Sequence, residues 1–312
     1  MVLNNFDCLA ASLRGIPRRK AVVAAAQDEH TLEAVTRAAR EGFIDYILVG
    51  NKAGILDMGK KLGAAIPADA VVDAPDETEA AEKAVALIRQ GRGDFLMKGK
   101  LETAVLMRAV VNKDRGIRGE GDMSHVAIFE LPVYHKLIFI TDGGMIPYPS
   151  LDQKKTILRN ALGLLGVLGY DKPKAAVLAA TETVNKRMPE TADAAALKEL
   201  GGKGEFGGCL IEGPVSLDLA FSREAAAIKG YSSPVTGDVD LLLAPNIAAG
   251  NLIGKSFLFA GRAKMAGCVV GAAVPVVLTS RGASAEEKHL SILLSAAAAS
   301  GPGGLPDSPG SV

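Results

Sequence analysis

The stretch Pro275-Val276-Val277-Leu278-Thr279-Ser280-Arg281-Gly282-Ala283-Ser284-Ala285-Glu286-Glu287 decides how the chain is read. A β-branched apolar run, Val274 to Leu278, carries its proline near the start, where a strand tolerates it. It ends in a polar turn, and an Ala/Leu/Ser-rich helix then runs to about Ser300. Strand, turn and helix in that order belong to an open α/β sheet, which binds ligands at the carboxyl ends of its strands. That crevice would receive a hydroxyl (Ser280), a guanidinium (Arg281), a helix N-terminus and a carboxylate (Glu287). These groups can hold an anion and move a proton.

Upstream, the same alternation repeats. Strands are expected at Lys20–Ala26, Asp45–Val49, Val71–Asp73 and Phe95–Lys98, each followed by a helix: 28–42, 52–62, 77–90 and 102–111. Such spacing argues for a parallel sheet with right-handed crossovers. The rhythm changes at His125–Leu131 and Lys136–Thr141, two β-like runs separated by a short turn, which suggests an antiparallel pair. A second α/β series follows: helix 152–168, strand 175–180, helix 191–200, strand 209–212, helix 217–228, strand 240–244, a helix to about Met265 and strand 268–272. The expected fold class is α/β, as two α/β domains with a central cleft. Residues 1–140 with 284–300 form the first domain and 141–283 the second, while the Gly/Pro/Ser-rich 301–312 reads as a disordered tail.

Composition narrows the function. The 312 residues hold 35 Lys+Arg against 35 Asp+Glu, so no net field favours nucleic acid or an acidic membrane. With 4% aromatics and no Trp, platforms for stacking bases are scarce. Three cysteines without CxxC spacing argue against a disulfide framework and for a reducing cytoplasm. The N-terminus lacks the apolar core of a signal peptide, and no apolar run approaches a membrane span.

The motifs each have a bland reading beside a functional one. Gly202-Lys203-Gly204-Glu205-Phe206-Gly207 is a literal GxGxxG, but a helix precedes it and a strand follows, the reverse of a dinucleotide site. Lys98-Gly99-Lys100 closes a strand before a helix, an anion site in principle, with Arg108 further along that helix. Ser124 and His125 open the next strand, where His125 serves either packing or chemistry. Asp142 with Gly143-Gly144 reads as a turn first. Asn246, Gly250 and Asn251 follow a buried strand, where Asn either meets a substrate or closes a turn. Ser284-x-x-Glu287 is a capping box, which by itself accounts for both residues.

Together these pieces resemble the phosphate acetyl/butyryltransferase family, with the butyryltransferase branch nearest. The resemblance rests on Met97-Lys98-Gly99-Lys100, Ser124-His125-Val126, Thr141-Asp142-Gly143-Gly144, Val184-Asn185 with Met188-Pro189, and Asp193-Ala194-Ala195. It continues through Glu212-Gly213-Pro214, Ser233-Pro234-Val235, Pro245-Asn246 with Gly250-Asn251, and Leu278-Thr279-Ser280-Arg281, in family order over about residues 20–300. It implies a fold similar to the isocitrate and isopropylmalate dehydrogenases, with the site in the cleft. The implied reaction is acyl-CoA + phosphate ⇌ acyl phosphate + CoA, by direct transfer in a ternary complex. CoA is then a substrate, with no bound cofactor and no metal. Partners are these small molecules and other copies of the chain, a homo-oligomer.

Carried over by position, Ser280 would hydrogen-bond the CoA thiol, Arg281 would bind phosphate, and Glu287 falls where the acetyltransferases have an aspartate base. Lys98, Lys100 and Arg108 would meet anionic parts of CoA. Gly99, Ser124, His125, Asp142, Asn246, Gly250 and Asn251 complete the expected substrate-binding set. Three other readings compete. Within the family the runner-up is a phosphate acetyltransferase, since acyl length depends on a pocket volume that motifs do not reveal. A metal- and NAD-dependent decarboxylating dehydrogenase would need clustered acids, for which Asp238 and Asp240 are the nearest pair. A non-catalytic CoA-binding protein would bind CoA without phosphate-dependent turnover.

Overall fold

The computed structural model describes residues 2–280 and 282–301; Arg281 and the expected tail from residue 302 on lie outside the described residues. The elements run α1 (Phe6–Ser12), β1 (Arg19–Ala24), α2 (Glu29–Arg40), β2 (Ile44–Gly50), α3 (Lys52–Lys61), β3 (Val71–Asp73), α4 (Glu77–Arg89), β4 (Phe95–Lys98) and α5 (Thr103–Val110). Next come β5 (Ser124–Glu130), β6 (Ile138–Thr141), α6 (Leu151–Val167), β7 (Lys174–Leu178), α7 (Pro189–Gly202), β8 (Leu210–Val215), α8 (Leu217–Phe221), α9 (Arg223–Ile228), β9 (Leu241–Leu243) and α10 (Ile247–Phe259). The described chain closes with β10 (Lys264–Val270), β11 (Val276–Val277) and α11 (Ala285–Ala298).

Two compact units result. One comprises Phe6–Met123 and the described residues from Met265 onward; the other comprises Ser124–Lys264 and the first residues up to Asn5. The boundaries at 140 and 283 expected from the sequence are therefore displaced. Strand pairing supplies the reason. β5 pairs antiparallel with β6, and β6 pairs parallel with β9, so the hairpin stays with the later strands. β11 pairs parallel with β4, and β10 pairs antiparallel with β11, which returns both to the N-terminal strands.

Within the first unit the strands are ordered β3-β2-β1-β4-β11-β10. β1 from Ala21 to Ala24 and β4 from Phe95 to Met97 are apolar and buried on both faces, as parallel strands covered by helices require. Leu96 N–H donates to the Pro275 carbonyl at 3.0 Å; Pro275 has no N–H to give, and β11 is correspondingly short. α11 is buried on all sides from Lys288 to Ala297, and α2 packs against it. A helix apolar all round belongs in a core.

Within the second unit the order is β5-β6-β9-β7-β8. Phe129 and Phe139 are fully buried, Phe129 edge-on to Phe257 at 5.5 Å and Phe139 edge-on to Tyr170 at 5.5 Å. Leu3 ties the N-terminus to this unit through the Leu137 N–H at 3.0 Å. The helix expected over 217–228 is two helices, because Ser222 is extended (φ −120°, ψ 113°). Its Oγ accepts the Ala225 N–H at 3.0 Å, so serine's side-chain bond starts a new helix instead of continuing the old one. α10 stops at Phe259, well before Met265, since Arg262 turns the chain at φ 52° into β10.

A charge cluster pins β6, β7 and β9. Lys136, 4% exposed, reaches Asp240 at 2.6 Å and Asp238 at 2.9 Å, and Lys174 also pairs with Asp238. Burial pushes the Asp238 carboxyl up, but bonds from Lys174, Lys136 and His135 outweigh it and hold it well below the usual carboxylate range.

Two predictions follow from these environments. A depressed folded pKa stabilises above the unfolded aspartate value of about 3.9 and loses that stability as pH falls through the folded value. Denaturant melts should therefore show a loss of stability below about pH 4 that Asp238→Asn flattens; an unchanged acid limb would contradict this. Burial pushes the Cys209 and Cys268 thiols up to about 12. At pH 8 only about one in ten thousand of either would be thiolate. Iodoacetamide at pH 8 should spare both in the native protein and modify both in denaturant, read by mass spectrometry; native labelling of either would contradict this environment.

Candidate active site

Three adjacent parallel strands, β1, β4 and β11, end side by side and deliver the loops on which several of the expected site residues stand. After β1 the chain turns at Ala25 (φ 54°) and reaches Asp28, which caps α2 by accepting the Thr31 N–H at 2.9 Å. β4 ends on Lys98 and leads into Gly99 and Lys100. Gly99 is required here: a Cβ would lie 2.3 Å from the Ala25 carbonyl oxygen and 2.7 Å from that of Ala24. This close approach lets Gly99 N–H donate to Ala24 O and Lys100 N–H to Ala25 O, both at 2.8 Å. After β11 comes Ser280.

These loops line one cavity of about 310 Å³, whose walls include Asp28, Lys98, Lys100, Ser280 and Lys288. The structure thus brings together Lys98, Gly99, Lys100 and Ser280, four of the residues singled out in the sequence. Lys98 is 4% exposed and donates to Leu101 O at 2.9 Å. Lys100 and Ser280 are exposed, and Ser280 Oγ accepts the Gly282 N–H at 3.4 Å. Arg281 lies outside the described residues.

Glu287 sits in the first turn of α11 and is half-buried. Its N–H donates to Ser284 Oγ at 3.1 Å, the serine half of the capping box expected there. Arg108 lies elsewhere in the same unit. It lines a separate cavity of about 560 Å³ between α4 and α5, with Lys83, Arg89 and Arg115.

Lys288 and Asp28 escaped the sequence reading. Lys288 is 5% exposed, with Nζ 3.2 Å from Thr31 Oγ1 and 3.5 Å from Asp28 Oδ2. Burial pushes the Asp28 carboxyl up, but the Thr31 hydroxyl and the Lys288 charge prevail and hold it below its ordinary value. The available signal was a lysine at the head of an Ala/Leu/Ser-rich helix, since a charge buried in such a helix must find a partner.

The remaining expected residues gather in the second unit. Asp142, 2% exposed, accepts four backbone N–H groups: Gly144 at 2.8 Å, Met145 at 3.0 Å, Ile146 at 2.9 Å and His125 at 3.3 Å. Its carboxylate holds the turn after β6. Asn246 caps α10 through the Ala249 N–H at 3.0 Å, and Asn251 donates to Gly143 O at 3.3 Å. Gly250 lets α10 approach, as a Cβ there would meet Asp142 O at 2.8 Å. Ser124 Oγ accepts from Asn160 at 3.0 Å. Burial lowers the His125 imidazole pKa, and the charge of Asp142 opposes that shift.

The competing motifs resolve physically. Asp238 and Asp240 already face the ammonium groups of Lys136 and Lys174, which occupy the place a divalent cation would take. The GxGxxG lies between α7 and β8, with Gly204 (φ 83°) and Gly207 (φ 61°) making a turn. Among the described residues no group of His, Cys, Asp and Glu is arranged to hold a metal, and no helix is long and apolar enough to cross a membrane.

Comparison with known proteins agrees with the geometry. Residues 72–296 match the family described as "Phosphate acetyl/butaryl transferase". The chain is 39% identical to phosphate butyryltransferase of Clostridium acetobutylicum, over 95% of this chain and 98% of that one. It is 40% identical to phosphate acetyltransferase of Thermotoga maritima, over 89% and 94% respectively. Its structure is similar to a branched-chain phosphotransacylase from Enterococcus faecalis V583, with a TM-score of 0.79 at 31% identity, covering 90% of this chain and 99% of that one. A 4-hydroxythreonine-4-phosphate dehydrogenase from Klebsiella pneumoniae shares the fold alone, with a TM-score of 0.56 at 15% identity, covering 91% of this chain and all of that one. On the family match and these relatives, the chain belongs to the phosphate acetyl/butyryltransferase family and is a phosphate acyltransferase.

Proposed function

We propose that the chain interconverts a short-chain acyl-CoA, butyryl-CoA favoured, and phosphate with the acyl phosphate and CoA, by direct transfer in a ternary complex. The observation that supports this best is the shared cavity of Ser280, Lys98 and Lys100 beside the N-terminus of α11.

A CoA thiol has a pKa near 8.5 and attacks as thiolate. Ser280 orients the sulfur, and Glu287 takes its proton. The thiolate then attacks the carbonyl carbon of the acyl phosphate: a C–S bond forms, the C–O bond to phosphate breaks, and phosphate leaves with that electron pair. Arg281 receives the departing oxyanion, to which a guanidinium can donate two parallel bonds. The N–H groups of Ala285 and Glu286, in the first turn of α11, are the donors offered to the developing carbonyl oxyanion. In the reverse direction a phosphate oxygen attacks the thioester, and protonated Glu287 returns the proton to the leaving sulfur.

Lys98, Lys100 and Arg108 carry anionic parts of CoA in this reading, and Ser124, His125, Asp142, Asn246, Gly250 and Asn251 remain the further substrate-binding set. The narrower kinship with isocitrate and isopropylmalate dehydrogenases, the cytoplasmic setting and the homo-oligomer belong to the same proposal. Relatives bearing both the butyryl and the acetyl name match at nearly equal identity. Acetyl-CoA is therefore the substrate to run in parallel.

The test follows CoA release from butyryl-CoA and acetyl-CoA with a thiol reagent, with and without phosphate. Phosphate-dependent release, faster with butyryl-CoA, is expected; release without phosphate would indicate a thioesterase, and no release would sink the proposal. Arg281→Ala should abolish most of the phosphate dependence. Glu287→Gln should lower kcat about 10²–10⁴-fold. If Glu287→Gln changes only thermal stability, the residue is a helix cap and not the base.

A further inference from the structure

Three of the first five residues of α11 are tied to α2, and Glu287 stands among them. Glu286 Oε2 accepts from Arg37 Nη1 at 2.5 Å, and Arg37 Nε donates to Glu41 Oε1 at 2.9 Å. The other oxygen of Glu41 lies 3.1 Å from Nε2 of His289, which is buried. Lys288, also buried, places its Nζ 3.2 Å from Thr31 Oγ1 and 3.5 Å from Asp28 Oδ2. The ties thus run from the N-cap of α2, Asp28, to its C-cap, Glu41. An α-helix advances about 100° per residue, so Lys288, His289 and Glu286 fall within one arc of about 160° on the side of α2. Glu287 projects from the opposite side, about 180° from the centre of that arc. Ser291, one turn further along and on the side of Glu287, accepts the Gly267 N–H of β10 at 3.0 Å. α11 is held from two sides, and it cannot roll about its axis without breaking these bonds.

The side chains of Arg37 and Glu286 are 38% and 48% exposed, and an ion pair so open to water adds little to stability. What it does supply is direction. A planar guanidinium donating to two carboxylates from fixed nitrogens sets how Glu41 and Glu286 stand to each other. We propose that Arg37, joined to Glu41 and Glu286, is a positioning residue: with the Lys288 and His289 ties it fixes the roll of α11 and so aims Glu287 at the CoA thiol. This rests on the acyl-transfer reading, in which Glu287 is the base, and deepens it by naming what keeps the base in line. Side chains reach about 5–6 Å from a helix axis, so a roll of about 10° moves a carboxylate by about 1 Å. A displacement of that size can cost about 10²-fold in rate.

Arg37→Met and Glu286→Ala test this, each alone and each combined with Glu287→Gln. The readouts are kcat and KM from CoA release, and hydrogen exchange of the amides of residues 285–289. Each single variant should lower kcat about 10–100-fold, leave the phosphate and acyl-CoA KM values within about twofold, and speed the exchange. Arg37→Lys, which keeps one of the two bonds, should recover part of the loss. The two variants change the local charge in opposite senses, so a purely electrostatic influence on Glu287 would shift the pH profile of kcat in opposite directions. Loss of aim lowers kcat in both. In the Glu287→Gln background neither variant should lower kcat further, because the group they aim is gone. With Glu287→Gln itself impaired, an unchanged kcat in Arg37→Met, opposite effects of the two variants, or a full additional loss in the Glu287→Gln background would each overturn the proposal. Should Arg37→Met fail to fold, Glu286→Ala carries the same comparison. Faster exchange in Arg37→Met beside an unimpaired Glu287→Gln would uphold the clamp and defeat Glu287 as the base.

Discussion

Parallel pairing of β1, β4 and β11 is the constraint on which the site depends. Neighbouring strands in a sheet lie about 4.8 Å apart, so three consecutive parallel strands must release their loops within about 10 Å of one another. β4 is the middle strand of the three. Gly99 then brings the chain after β4 so close to the Ala24 and Ala25 carbonyls that no side chain fits between. Residues far apart in sequence, Lys98 and Ser280, meet at one cavity for this backbone reason. Their own attraction has no part in it.

The alternation of apolar runs and amphipathic segments carried nearly all of the fold, because burial on both faces leaves a parallel strand with a recognisable composition. It carried less at points where a single backbone bond decides the outcome. Ser222 splits the helix expected over 217–228 with one hydroxyl, and Pro275 shortens β11 by lacking one donor. The unit boundaries were missed because pairing partners, and not composition, assign β5, β10 and β11.

For the site, Lys98, Gly99, Lys100 and Ser280 were legible as a group because each stands at a strand end. Lys288 and Asp28 were not, since their contact spans more than two hundred residues and neither belongs to a motif. Arg108 read as part of the same anion site, yet its helix carries it to a different cavity. Asp142 and Asn246 show the structural side of the two readings that turn residues allow: one carboxylate gathers four backbone donors and one amide caps a helix.

The two buried thiols bear on chemical self-protection. Acyl phosphates and thioesters acylate any sulfur that is ionised, and a protein that handles both risks trapping the acyl group on itself. With Cys209 and Cys268 held to about 12, neither sulfur competes with CoA for the acyl group at neutral pH. Burial that looks like ordinary packing thereby takes these two sulfurs out of nucleophilic chemistry at neutral pH.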